Sequence, residues 1–440
     1  MSPRGGSKSS TVSAVRRADE DSDRYRPPAA GAGILRRIWD WVHDGPLVHS
    51  YYALAASAIL LFAFGCMMVL SSSAVESISA DRSAFYYFTR QAFLGLFGVV
   101  AMFTLSLVPS RVYRRFAPVA FWVASAGVLS VILFGYEVNG NQNWINLGGF
   151  TFQPSEAAKL AVAIMLGWYF GRREGTIRGI KGFLWPSLAI VGLPLAGVAW
   201  GGDAGTAIIF GLIYAAALYF AGAPRLLFVV AGLGAAALGA LAVVMAPHRM
   251  ERVTGWITGD CDVAGSCWQA QQGMAALATG GWWGVGLGQS RSKYNYVPEA
   301  HNDYIFAIIG EELGLIGTVF ILVLFAVMAV AMARVLLRST STFERVTTGG
   351  ILAWLIGQAF VNIGMVTGVL PVIGVPLPFI SYGGTSLIMC LAAVGVVMSL
   401  TRVTRDSSGG PRSRDDGGPN PGHDDLPGNV HPLRSREERI

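Results

Sequence analysis

Ten apolar runs, each near the length of a membrane span, recur along the chain between short polar segments. They lie at 51–70, 92–108, 116–134, 157–170, 183–200, 204–221, 226–245, 304–333, 350–370 and 385–400. A helix needs about 20 apolar residues to cross the hydrocarbon core. The expected fold is therefore all-α, a polytopic membrane protein with ten transmembrane helices. Composition agrees. Of 440 residues 53% are hydrophobic and 14% charged, whereas a soluble domain carries roughly 25% charge.

Charge placement gives the expected orientation. Arg111, Arg114 and Arg115 follow the second run, and Arg172, Arg173, Arg178 and Lys181 the fourth. Arg225 follows the sixth, Arg334, Arg338 and Arg345 the eighth, and Arg402 and Arg405 the tenth. Every second loop is basic, and the positive-inside rule then puts both termini in the cytoplasm. The large segment 247–302, between the seventh and eighth spans, faces outward. The net charge of +6 makes no basic face on a folded module, which excludes nucleic acid as a partner. Residues 1–33 read as a disordered cytoplasmic tail rich in Ser, Arg, Asp, Pro and Gly. Residues 34–50 read as an interfacial segment, with Trp39 and Trp41 beside Arg36 and Arg37. Residues 51–403 form the membrane domain, and 404–440 a second disordered tail.

Of four cysteines, Cys66 and Cys390 lie inside apolar runs and read as packing residues. Cys261 and Cys267 flank the polar segment CDVAGSC outside the cytoplasm. An oxidising compartment permits a structural disulfide there.

Four segments carry candidate chemistry. In PEAHNDYIFAIIGEELG, 298–314, ionisable groups run without a break into an apolar segment. A carboxylate kept at membrane depth is a site hypothesis by default. Asp303, at the mouth of the span, suits a general base with a raised pKa; the plainer reading is a helix N-cap at Asn302 or Asp303. Glu311 and Glu312, further inside, end a short half-helix or bind a partner in the bundle. In QPSEAAK, 153–159, Pro154 suits a helix start. Glu156 and Lys159 then share one face, as a structural ion pair or as the wall of a substrate groove. ATGGWWGVGLGQSRSK, 278–293, has five glycines within nine residues. Such a loop cradles a phosphate or packs as a re-entrant segment. Arg291 and Lys293 would neutralise a phosphate or pyrophosphate. LPVIGVPLPFISYGGTSL, 370–387, breaks any helix around Ser381 and Tyr382. Irregular backbone at that depth should line a cavity.

QPSEAAK, VPEAHNDYIFAIIGEELG and GVPLPFISYGGTSL, in this order on ten spans, resemble the SEDS family of peptidoglycan polymerases (shape, elongation, division and sporulation proteins). The resemblance covers about residues 50–402. The polar extensions and the run GVGLGQSRSKYNYVPEAHNDYIF look more like the division branch of actinobacteria than the elongation branch. The resemblance implies polymerisation of lipid II into glycan strands outside the bacterial cytoplasmic membrane, at the division septum. It implies that Asp303 is catalytic, and that Arg90, Glu156 and Lys159 take part in substrate binding, with Arg291, Lys293, His301 and Ser381 as further candidates. It also implies a class B penicillin-binding protein as transpeptidase partner, with other division proteins reached through the cytoplasmic tails. A divalent cation (Mg or Mn) would fit a pyrophosphate leaving group, but no ligand set demands one. Two positions depart from the family pattern: Asn143 replaces the usual Arg before Trp144, and Asn302 the usual Thr before Asp303.

Two rival functions compete. A flippase for lipid-linked precursor suits ten spans with broken helices, but transporter sites lie near the midplane, often between inverted repeats. No inverted repeat is visible here, and the charged residues lie in the outer loops. A non-catalytic scaffold for division proteins would not depend on Asp303.

Overall fold

The structure, a computed structural model, describes residues 47–138, 141–146, 148, 151–177, 179–244, 247–258, 268–293 and 300–408. Both expected disulfide cysteines, the tail 1–33 and the interfacial residues 34–46 lie outside the described residues.

The chain is chiefly helical. Helices α1 (Leu47–Ser79), α2 (Tyr86–Leu107) and α3 (Ser110–Phe134) come first. Strands β1 (Tyr136–Val138), β2 (Asn141–Asn146) and β3 (Thr151–Phe152) follow. Then come α4 (Pro154–Arg172), α5 (Gly179–Trp200), α6 (Ala204–Phe220), α7 (Arg225–Val244), α8 (Pro247–Thr258) and α9 (Trp268–Gly280). Three long helices close the chain: α10 (Ile305–Arg338), α11 (Thr342–Val366) and α12 (Gly384–Ser408).

Among the described residues, seven helices are long and apolar enough to cross a membrane: α1, α2, α3, α5, α10, α11 and α12 as far as Arg402. α6 and the first half of α7 are apolar but shorter. α4 coincides with the expected fourth span but carries Glu156 and Lys159 in its first two turns.

The core lies where α12 packs along α2 and α1, α10 along α1, and α11 along α4 and α6. Small residues set some of these distances, as is usual between helices in lipid. A Cβ at Gly395 of α12 would stand 2.4 Å from the Met102 carbonyl oxygen of α2.

The described structure departs from the sequence expectation in three places, only the first of which is not helical. The connection before α4 is an antiparallel ribbon in the order β1-β2-β3. Its register pairs Tyr136 with Trp144 and Ile145 with Phe152. Such cross-strand aromatic and β-branched pairs stabilise short strands. The segment 247–302 is also less loop-like than expected, since it contains α8 and α9. At the far end, α12 runs to Ser408, so 404–408 continue a helix where a tail was expected.

Candidate active site

Asp303 stands half-buried in a turn just ahead of α10. It is not the helix cap: Tyr304 holds the N-cap position and makes no side-chain cap bond. The backbone of this turn is tied from three directions. Asn362 of α11 donates through Nδ2 to the Asp303 carbonyl at 2.8 Å and to the Val375 carbonyl at 2.7 Å. Ser381 donates to the Asn302 carbonyl at 2.7 Å while its oxygen accepts from the Leu377 amide at 2.7 Å. The Tyr382 amide donates to the His301 carbonyl at 3.0 Å. The Pro/Gly-rich segment 370–383 is thereby clasped to the turn, and its buried polar groups are satisfied by partners. Gly374 has φ +75, and a Cβ there would stand 3.3 Å from Asp303 Oδ2.

A buried polar chain supports the clasp from α4. Lys159 Nζ lies 2.9 Å from Glu156 Oε1, donates to Gln358 Oε1 at 3.1 Å, and sits 5.0 Å from the centre of the Trp354 ring. Trp354 donates to the same Gln358 oxygen at 2.9 Å, and Gln358 donates onward to the Pro376 carbonyl at 2.9 Å. Lys159 is only 2% exposed, so its reach ends on protein groups in this structure. Gln358 and Asn362 are one helical turn apart on α11, hence on one face. Together they hold two points of the 370–383 segment and the catalytic-candidate turn.

A second cap lies beside this chain. Asp203 closes the N-terminus of α6 by accepting from the Thr206 amide at 2.8 Å and its hydroxyl at 2.7 Å. It also accepts from Asn143 at 3.3 Å and Gln153 at 3.4 Å. Asn143, where the family pattern has Arg, is therefore engaged with Asp203. Burial pushes the Asp203 carboxyl above its ordinary range, against the two Thr206 bonds and the nearby Lys159 charge.

His301 faces a different wall. Its Nδ1 lies 3.0 Å from Glu76 Oε2 of α1, and its ring lies 4.8 Å from Tyr87 and 5.7 Å from Tyr382. Arg90, half-buried on α2, donates to the Tyr86 hydroxyl at 3.3 Å. Burial raises the Tyr382 phenol, and the Arg90 guanidinium beside it pulls the other way. Next to Arg90, Gln91 donates to the Ile380 carbonyl at 3.1 Å.

Arg291 and Lys293 belong to a separate network. α10 kinks at Gly314, whose φ and ψ are 65 and −161. The segment after α9 lies against that kink backbone to backbone: the Val285 and Gly286 amides donate to the Glu311 and Glu312 carbonyls at 2.9 and 3.0 Å. A Cβ at Gly284 would stand 2.1 Å from the Glu312 carbonyl oxygen, so glycine is required there by space. The Glu311 carboxylate accepts from the Ser290 hydroxyl at 2.6 Å and the Arg291 amide at 2.9 Å. Glu312 accepts from Ser71 at 2.7 Å and lies 3.6 Å from Lys293 Nζ. Lys293 also donates to the Gly288 carbonyl at 2.6 Å and is buried, whereas the Arg291 side chain is exposed. Gly280 and Gly284 thus serve close packing, Gly281, Gly286 and Gly288 supply positive φ, and the two glutamates pin the loop.

The structure therefore brings Asp303, His301 and Ser381 into one clasp, sets Arg90 beside its Tyr382 edge, and links Glu156 and Lys159 to it through α11. Asn362, Gln358, Asp203 and Glu76 were not singled out from the sequence. Gln358 and Asn362 left a usable signal, two amides four residues apart inside an apolar run. In a membrane helix such groups seek partners across the bundle.

A half-buried carboxylate on tied backbone, at one end of a bundle with seven helices long and apolar enough to cross a membrane, defines a polytopic membrane protein with a candidate site at its rim. The chain belongs to the family of cell cycle proteins that includes FtsW, RodA and SpoVE, the SEDS family, whose model matches residues 52–406. A probable peptidoglycan glycosyltransferase FtsW of Mycobacterium tuberculosis is 36% identical over 83% of this chain and 70% of its own length. The stage V sporulation protein E of Bacillus subtilis is 35% identical over 80% of this chain and 97% of its own. Two solved structures share the fold. A chain from work on how a peptidoglycan synthase complex coordinates polymerization and crosslinking has TM-score 0.66 and 24% identity, over 80% of this chain and 98% of its own. The rod shape determining protein RodA of Thermus thermophilus has TM-score 0.60 and 23% identity, over 80% and 96%.

Proposed function

We propose that this chain is a peptidoglycan glycosyltransferase that polymerises lipid II during cell division. The reading places ten spans at the positions of α1–α7 and α10–α12, both termini in the cytoplasm, and the Asp303 end outside. It places the protein in the cytoplasmic membrane at the septum, with 51–403 as the polymerase domain. The reaction inverts configuration. Asp303 takes the proton of the acceptor sugar's 4-hydroxyl, and the freed oxygen pair attacks the anomeric carbon of the donor MurNAc. The bond from that carbon to pyrophosphate breaks, undecaprenyl pyrophosphate leaves, and a β-1,4 linkage forms.

One observation carries this reading: Asp303, a half-buried residue, is held through its own backbone with its Oδ2 facing Gly374. A base so fixed contributes typically 10²- to 10⁴-fold. The pyrophosphate charge falls to Arg90 and the exposed Arg291, since preorganised cations are what such a leaving group needs. Glu156, Lys159, Lys293 and Ser381 act by holding the walls of the groove, and His301 borders it. Among the described residues no three His, Cys, Asp or Glu side chains converge on a metal site, so no step is routed through an ion. A class B penicillin-binding protein is the expected transpeptidase partner, and the tails are the expected contacts for other division proteins.

The test is polymerisation of purified lipid II by the full chain co-purified with its transpeptidase partner. Wild type should make glycan strands, and Asp303→Ala and Asp303→Asn none, with partner binding intact. Equal strands from all three would refute Asp303 as the base. Failure of every sample, wild type included, together with lipid movement in a flipping assay would favour transport.

A further inference from the structure

The loop 281–289 exposes its largest apolar side chains although its backbone is hydrogen-bonded to that of α10. Trp282 is 70% and Trp283 81% exposed, and Val285 and Leu287 are also open. The backbone beneath them is pinned to α10: besides the Val285 and Gly286 bonds, the Leu315 amide donates to the Gly281 carbonyl at 2.9 Å and the Ile316 amide to the Trp282 carbonyl at 3.3 Å. Exposure here is therefore a fixed property of the surface. Two adjacent open tryptophans with two open aliphatics form a contiguous apolar tip, and such a tip on a rigid loop marks a contact surface.

Position selects the occupant. The straight limb of α10 from Gly314 to Arg338 rises about 36 Å at 1.5 Å per residue. That is the ~30 Å hydrocarbon core plus a few ångströms of headgroup layer. Gly314 and the loop pinned across it therefore sit at one water–lipid boundary. Just below, Leu315, Ile316, Val319 and Phe320 open to the outside of the bundle and continue the apolar surface. Tryptophan concentrates at this depth, where its ring is apolar and its N–H meets headgroups. The exposed Arg291 at the loop's end adds a cation at phosphate level.

We propose that the Trp282–Leu287 tip is embedded in the lipid leaflet at the Asp303 end of the bundle, as an interfacial anchor that fixes the loop bearing Arg291. The anchor rests on the membrane-protein reading and does not require the polymerase reaction. Its test reads depth and not activity. The full chain, reconstituted in phosphatidylcholine–phosphatidylglycerol nanodiscs, would carry a nitroxide at Trp283→Cys or Leu287→Cys in a background without native cysteines. Asp81→Cys, in the exposed α1–α2 turn, serves as the aqueous reference. The tip positions should favour oxygen over a water-soluble nickel chelate by several-fold relative to position 81. Nickel access equal to that of position 81, or shielding from both reagents, would overturn the proposal. Should the cysteine-free protein fail to fold, the native chain in lipids brominated on the upper acyl chain gives the same answer. Trp282→Ser with Trp283→Ser should remove a clear part of the tryptophan quenching, and no loss would overturn the anchor.

Discussion

Two buried ionic centres divide the work of this bundle. One is Glu156 with Lys159, the other Glu311 and Glu312 with Lys293. In sequence the first reads as an ion pair or a groove wall and Lys293 of the second as a phosphate cation; in the fold both are spent on protein groups. They differ in what they hold. The first passes its hydrogen bonding through Gln358 to the 370–383 segment, which is also tied by Asn362, the residue that grips the Asp303 carbonyl. The second pins a loop that opens Arg291 and two tryptophans to the surroundings. Charge at depth therefore marks a support in this fold.

Breaking the first centre should cost most. Lys159→Met leaves Glu156 buried without its cation, and removing one partner of a buried pair costs roughly 3–5 kcal/mol. The double variant Glu156→Gln with Lys159→Met should recover much of that loss, because replacing both charges is far less costly than stranding one. Thermal unfolding of the purified chain in lipid measures both. Equal losses from single and double variants would show that the pair is not coupled.

Next comes the junction between support and chemistry. Asn362→Leu removes both carbonyl bonds and takes the amide tie off the Asp303 carbonyl, while the Ser381 and Tyr382 ties remain. A small misplacement of a catalytic group can cost about 100-fold. Under the proposed mechanism, with Asp303 as the base and the binding cations elsewhere, the loss should fall on kcat, with lipid II KM little changed. Asn362→Gln should not restore the rate, since the longer amide cannot span the same two carbonyls at 2.7 and 2.8 Å. A rise in KM alone would place Asn362 in substrate binding instead.

The second centre should yield less to the same insult. Lys293→Met removes a cation, yet Glu312 keeps Ser71 at 2.7 Å and the Ser290 amide at 3.4 Å. We expect a stability loss of about 1–3 kcal/mol, the cost of partly unsatisfied polar groups. A loss as large as that of Lys159→Met would erase the distinction between the two centres.

The same contrast explains what could be read from the sequence. Apolar runs announce helices because lipid punishes anything else, and the helix break beside Glu311 and Glu312 was visible in the glycines of GEELG. Asp303 stood out because a carboxylate at a span mouth is rare. Gln358 and Asn362 did not, because neutral amides barely interrupt an apolar run and only their partners reveal them. Whether Lys293 faces ligand or Glu312 depends on residues about 20 positions apart meeting across a kink, which no local pattern encodes. The β1-β2-β3 ribbon is similarly silent: its strands are two to six residues long, too short to show an alternation.

The smallest effect concerns Asp203, at the edge of the first centre. Burial raises its folded pKa above the unfolded value of about 3.9, so the native state binds more protons than the unfolded state between those two values. Stability must then fall as pH rises through that window and level off above it. Asp203→Asn keeps an acceptor for the Thr206 amide, and Asn caps helices about as well as Asp. The variant should therefore be as stable as wild type at the acid end and slightly more stable near neutrality. Unfolding midpoints of the two proteins across that range give a difference curve. A flat curve would mean that the Asn143, Gln153 and Thr206 donors fully offset the burial of the charge.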